Sequence, residues 1–204
     1  MNYIRLRQFL FAACCSSLVL FVLACWRPGG IGVGGRYLDA KAEVTKRSGD
    51  LDKAIANLEY VVTRDPFYQD SLTLLGRAYY KKGRHRDALQ VFTRALVVNK
   101  DDEIAWIILG LTQLRLGDDG RGLESLKGGI TLLSKASING YRGIEIWDRN
   151  GLVRTALHRA AFAVTKGLED KQRMIATFEG LLTRIDDEEW YSRGEQLNKA
   201  TRAE

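Results

Sequence analysis

At 204 residues the chain has room for one domain with its own core or one repeat array. Its 46% hydrophobic and 27% charged residues are ordinary for a globular protein. A net charge of +6, with no basic stripe interleaved with stacking aromatics, excludes nucleic acid as the partner.

The chain opens on a leader. Arg5 and Arg7 precede an apolar run from Phe9 to Trp26, interrupted only by Ser16 and Ser17. A short basic segment followed by an apolar one reads as a secretory signal peptide. The run ends in Val22-Leu23-Ala24-Cys25, which resembles the lipobox of bacterial lipoproteins. The resemblance implies cleavage before Cys25 and acylation of its thiol. An uncleaved signal anchor is the other reading, since 18 apolar residues approach the roughly 20 that span a bilayer. Cys14, Cys15 and Cys25 are the only cysteines, so cleavage leaves one thiol for lipid and none for a disulfide. Both readings place the folded part outside the cytoplasm. The lipoprotein reading holds it on the periplasmic face of a bacterial cell envelope. Trp26, where an aspartate is absent, directs it to the outer membrane by the enterobacterial rule.

Residues 25–35 form a tether between the lipid-bearing cysteine and the folded part. Gly30, Gly32 and Gly35 satisfy G-x-G-x-x-G, but the dinucleotide motif needs a strand before it and a βαβ unit around it. A flexible glycine segment is the expectation.

From residue 35 the sequence repeats with a period of 34. Leu72, Leu75, Gly76, Tyr79, Gly83, Ala88, Phe92 and Ala95 recur as Trp106, Leu109, Gly110, Gln113, Gly117, Gly122, Leu126 and Gly129. The opposite shift reaches Leu38, Lys41, Ala42, Thr45, Gly49, Ala54, Leu58 and Val61, ending at Asp65-Pro66. Two antiparallel helices of about 14 residues with short turns account for such a period. Glycine and alanine mark close helix crossings, Tyr79 and Phe92 fill the wider gaps, and Gly83 and Gly117 end first helices in the left-handed conformation. The pattern resembles the tetratricopeptide repeat, W-x2-L-G-x2-Y…A-x3-F…P, with residues 69–102 as the fullest unit and three units over 35–136. The resemblance implies an all-α array of stacked helical hairpins (an α-solenoid), because no hairpin buries its apolar face alone.

Residues 137–204 lack the motif but keep helical periodicity. Asn139-Gly140 and Asn150-Gly151 mark turns. Leu152, Val153, Ala156, Leu157, Ala160 and Val164 share one face, and Met174, Phe178, Leu181 and Ile185 share another. A further hairpin closing the array is expected, with Leu157, Ala160, Met174 and Phe178 docking on the third repeat. Asp186-Asp187-Glu188-Glu189 reads as a solvated run at the start of a shorter helix, with Trp190 and Tyr191 docking the tail.

Chemistry finds little support. His85 and His158 have no partner at ligand spacing and read as surface residues, no cysteine remains for nucleophilic work, and the calcium-loop order is absent. No enzyme, cofactor, metal or small-molecule substrate is expected. The family resemblance implies a groove lined by the first helix of each hairpin. It assigns to that groove Arg36, Asp39, Glu43 and Lys46, then Asp70, Thr73, Arg77 and Lys81, then Ile104, Ile107, Leu111 and Leu114. The lysine–asparagine clamp for chaperone C-termini is missing, since the matching positions hold Asp39, Glu43, Thr73, Leu74, Ile104 and Ile108. The apolar end, at Ile107 and Leu111, is expected to be covered by the C-terminal helices. Lys81, Lys82, Arg84, His85 and Arg86 form a basic hairpin tip.

The functional expectation is an adaptor or assembly factor for an envelope complex, with other envelope proteins as partners. Its architecture is similar to that of repeat-bearing lipoproteins acting as pilotins or in outer-membrane assembly. A structural or accessory subunit of a larger envelope enzyme or filament, held by an uncleaved anchor, is the alternative. Under the lipoprotein reading, Cys25→Ser should abolish incorporation of labelled fatty acid and leave an unprocessed precursor. An intact Met1 terminus on the mature wild-type protein would instead establish the anchor.

Overall fold

The computed structural model describes residues 32–138, 141 and 147–200, of which the side chains of 137, 138 and 192–200 are left aside. The leader, the lipobox with Cys25, most of the glycine segment and Asn139-Gly140 lie outside the described residues. The regular elements within them are eight α-helices: α1 Val33–Thr45, α2 Leu51–Arg64, α3 Ser71–Lys81, α4 His85–Val98, α5 Glu103–Arg115, α6 Asp119–Ile138, α7 Leu152–Thr165 and α8 Lys171–Ala200. Val33, Gly34 and Gly35, expected in the tether, form the first turn of α1. None of the described helices is long and apolar enough to cross a membrane.

The helix ends obey local chemistry. Asp50 and Asp102 cap α2 and α5, their carboxylates accepting from the N–H groups of Lys53 and Ala105. Each thereby satisfies one orphan donor of a first turn. Gly83 and Gly117 take φ of +75° and +84°. The next N–H groups along the chain fold back onto Tyr79 O and Gln113 O, closing the ends of α3 and α5.

Successive helices from α2 to α8 pack on one another in order, and α3 also meets α5. The expected core is in place, with Ala88 and Phe92 fully buried and Tyr79 nearly so. The Phe92 ring lies where a side chain on Gly76 would be, 2.8 Å from an added Cβ. In the third hairpin the close crossing lies between its own helices. A Cβ on Gly110 would meet Gly122 O at 2.8 Å, and one on Gly129 would meet the Ile107 backbone nitrogen at 2.9 Å. Gly122 and Gly129 of α6 therefore seat α5. Gly120 and Gly128 face open space.

The C-terminal hairpin docks on the third repeat as the periodicity suggests. Helix α7 packs on α6 and α8 packs on α5, and Leu157, Ala160, Met174 and Phe178 are buried. Helix α8 runs unbroken for 30 residues, so the acidic run lies inside it, not at the start of a shorter helix.

Glycines within α6 and α8 are thus of two kinds. Gly128→Ala and Gly180→Ala, where nothing lies within 4 Å, should each stabilise by up to about 1 kcal/mol. Gly129→Ala should instead destabilise, with overpacking costing about 1–3 kcal/mol. Thermal melts of the three variants check the ranking.

Candidate functional site

The face predicted to be a groove is occupied by α8. Arg77 on α3, mostly buried, makes a two-pronged ion pair with Asp186 of α8, with Nη1 donating to Oδ1 at 2.8 Å and Nη2 to Oδ2. One turn further along α3, Tyr80 donates its hydroxyl to Glu179 Oε1 at 2.6 Å, and Arg115 of α5 reaches the same oxygen at 3.1 Å. Arg47, just past α1, pairs with Asp187 at 3.1 Å. Glu188 accepts from the backbone N–H of Asp148 at 3.0 Å. Asp148 in turn takes a left-handed φ of 52° and caps α7 through the N–H groups of Val153 and Arg154. The four carboxylates read as a solvated run are therefore engaged or buried, Glu189 among the latter. Trp190 and Tyr191 point the other way, 76% and 51% exposed. The tail docks by its acids and leaves its aromatics outside.

The first helix sits two residues out of the predicted register. Arg36 donates to Asn57 at 3.0 Å and lies over the Tyr60 ring, and Asp39 pairs with Lys53 at 2.9 Å. Both face α2, and the Lys53 ammonium holds the Asp39 carboxyl below its ordinary pKa. Glu43 folds onto the Asp50 N–H and Lys46, which lower its pKa in that order. The residues α1 turns inward are Tyr37, Lys41 and Thr45, which border the same spaces as Thr73 and Arg77. The cause is the turn at 46–50, two residues longer than the turn at 82–84. It preserves the period of 34 for α2 but makes it 36 for α1, so that Ala40 stands where α3 has Gly76. Leu38, matched to Leu72 by the period of 34, is accordingly 65% exposed. Gly49 is not left-handed like Gly83. A Cβ there would collide with Glu43 O.

The inner residues of α3 are tied to their neighbours. N-cap Asp70 accepts from the Tyr37 hydroxyl at 2.6 Å, and Thr73 donates to N-cap Asp102 at 2.6 Å. The two bonds link consecutive hairpins through the caps of their first helices. Lys81 has an exposed stem but turns its ammonium onto Val44 O at the end of α1. Burial of that end and the Arg77 charge lower its pKa to about 8. Burial also raises the Tyr79 hydroxyl to about 12 and pushes Tyr80 up, with Glu59 and Glu179 as their respective acceptors.

On α5 the four assigned residues are all buried, in two directions. Ile104 borders α8, whereas Ile107 and Leu114 pack against Gly129 and Gly122 of α6. Ile108 joins Arg115 beneath α8, a position the groove assignment passed over. Leu111 lies fully enclosed.

Two hollows remain. One of about 390 Å³ lies between α3, α5 and α8, walled by Tyr80, Lys81, His85, Ile108, Arg115 and Thr183. His85 is not a surface residue. It stands half-buried with its ring 5.3 Å from Tyr80, and burial followed by the Arg115 charge lowers its pKa. The other hollow, about 590 Å³, separates α7 from the start of α8 beside His158, Phe162, Lys166 and Arg173. His158 is exposed as expected. No group of three or more histidine, cysteine, aspartate or glutamate residues suited to a metal occurs among the described residues.

This geometry defines an array of stacked helical hairpins whose inner face is covered by its own last helix. Residues 47–111 match the tetratricopeptide repeat family. The fold is shared with the crystal structure of MamA at 18% identity and a TM-score of 0.50, over 80% of this chain and 84% of that one. No curated protein matches the sequence.

The Arg77–Asp186 pair gives a direct test. Asp186→Ala leaves a guanidinium buried without its partner and should destabilise the protein by about 3–5 kcal/mol. The double variant Arg77→Met/Asp186→Leu should recover most of that loss, because well-packed apolar residues replace such pairs at little cost. Urea unfolding of the single and double variants measures both.

Proposed function

We propose that this protein is an interaction adaptor of a bacterial cell envelope, held to the membrane through its N-terminus and serving the assembly of an envelope complex. The observation that carries this reading is the inner face itself. It is a row of first helices in a tetratricopeptide array whose cations and hydroxyls hold a helix laid across them. The leader supplies the rest, since a lipid on Cys25 would leave the array free to engage neighbours at the periplasmic face.

A photo-crosslinking residue placed at exposed positions distributed over the array (Leu38, Phe67, Phe162 and Trp190) tests the reading in intact envelopes. An adaptor should give discrete adducts with one or a few envelope proteins from a subset of these sites. Only uncrosslinked protein from all four, with Cys25 processed and the chain folded, would overturn it.

A further inference from the structure

Several cations of the array are held by carboxylates, among them Lys53 by Asp39, Arg77 by Asp186 and Arg115 by Glu179. The outer side of α7 is different. No acidic residue occurs between Leu152 and Thr165. Arg154 and Arg159 on α7, Lys166 just past it and Arg173 at the start of α8 are all exposed, and none forms an ion pair among the described residues. The hollow of about 590 Å³ opens beside Arg159, Lys166 and Arg173. Its apolar lining includes Ala163, the buried Met174 and the exposed Phe162, whose ring has the Lys166 ammonium 5.4 Å from its centre. Arg159 and Lys166 stand three residues before and four after Phe162, so the three share one face. Leu168, in the turn to α8, is exposed as well. The carboxylates beside the hollow are Glu169 and Asp170, and Asp170 is engaged in capping α8 through the Arg173 N–H. Four cations against two carboxylates leave the face positive.

We propose that this face, the outer side of α7 with its turn into α8, docks on an anionic phospholipid membrane. Unpaired cations around an exposed aromatic ring, beside a hollow with an apolar lining, fit a partner that offers a negative group and an apolar chain side by side. A phospholipid does so, whereas an acidic peptide offers the charge without the chain. Phe162 and Leu168 enter the boundary between headgroups and acyl chains. The arginines and Lys166 lay their apolar stems along that boundary and keep their charges at the headgroup phosphates. This goes beyond the adaptor reading and shares with it only the membrane. Attachment at the N-terminus fixes one point of the chain, and a second contact through α7 fixes which way the array faces.

The test uses the full chain, reconstituted through its apolar leader into vesicles of phosphatidylcholine alone or mixed with phosphatidylglycerol. A benzophenone amino acid replaces Phe162. Illumination should yield phospholipid adducts at that position, detected by mass spectrometry, and several times more of them in the vesicles containing phosphatidylglycerol. The same amino acid in place of Val97, exposed on α4, should show no such preference. Arg159→Gln/Lys166→Gln should lower the adducts with anionic lipid about tenfold or more, since each cation near such a surface accounts for about fivefold in binding. Both side chains are exposed, so helical content by circular dichroism should not change. Raising salt from about 0.1 to about 1 M shortens the screening length from about 10 to about 3 Å and should remove the preference without any substitution. Absence of lipid adducts, equal yields in the two kinds of vesicle, or yields indifferent to the double substitution and to salt overturn the proposal. Illumination of intact envelopes that links position 162 to a protein and not to lipid also overturns it, and assigns the face to an acidic protein. The vesicles hold no other protein, so their outcome leaves the crosslinks from Leu38, Phe67 and Trp190 to decide the adaptor reading.

Discussion

Helix α5 is buried on nearly every side, and this constraint arranges the other helices. From Glu103 to Leu114 all but Trp106 are buried. A helix that is apolar all round has to be enclosed. Helices α4 and α6 enclose it as expected of neighbours in a stack, α3 approaches from the preceding hairpin, and α8 closes the remaining side. The C-terminal segment is therefore part of the core, since without it Ile104 and Ile108 would face water.

The means by which α8 closes that side are electrostatic as well as apolar. A buried ion pair adds little net stability over a well-packed apolar pair, yet removing one partner is costly. Its effect here is to fix position. Sliding α8 by a turn would take Asp186 away from Arg77 and Glu179 away from Tyr80 and Arg115. The Asp148–Glu188 bond extends the same control to the start of α7, so one acidic stretch sets both the register of α8 and the turn that precedes its hairpin.

The repeat made most of the fold legible, because glycine, alanine and aromatic residues at fixed spacing report helix crossings directly. Gly76 against Phe92 and the left-handed Gly83 and Gly117 are where the spacing put them. The candidate groove was legible only in part, for two physical reasons. The two extra residues in the turn at 46–50 slide α1 without disturbing the period of α2, so a fixed shift of 34 misplaces Arg36, Asp39 and Glu43. The small Ala40 and the apolar Val44, which fit a shift of 36, were the signal that could have corrected it. The acidic run was misread because its cations are remote in sequence, 109 residues away for Arg77 and 140 for Arg47. A clue was nevertheless present: the apolar period through Met174, Phe178, Leu181 and Ile185 leads into the run without a break, as it would in one continuous helix.

Those same separations bear on the order in which the chain acquires its structure. Hairpins built from neighbouring helices make local contacts, which form fast, whereas contacts between distant segments wait on costly loop closure. The second and third hairpins can assemble as they emerge, since α3 with α4 and α5 with α6 lie adjacent in sequence. Arg47 and Arg77 cannot meet their carboxylates until nearly the whole chain has been made. The apolar side of α5 is then uncovered until synthesis has passed α8, a window in which a holding chaperone has a defined surface to bind.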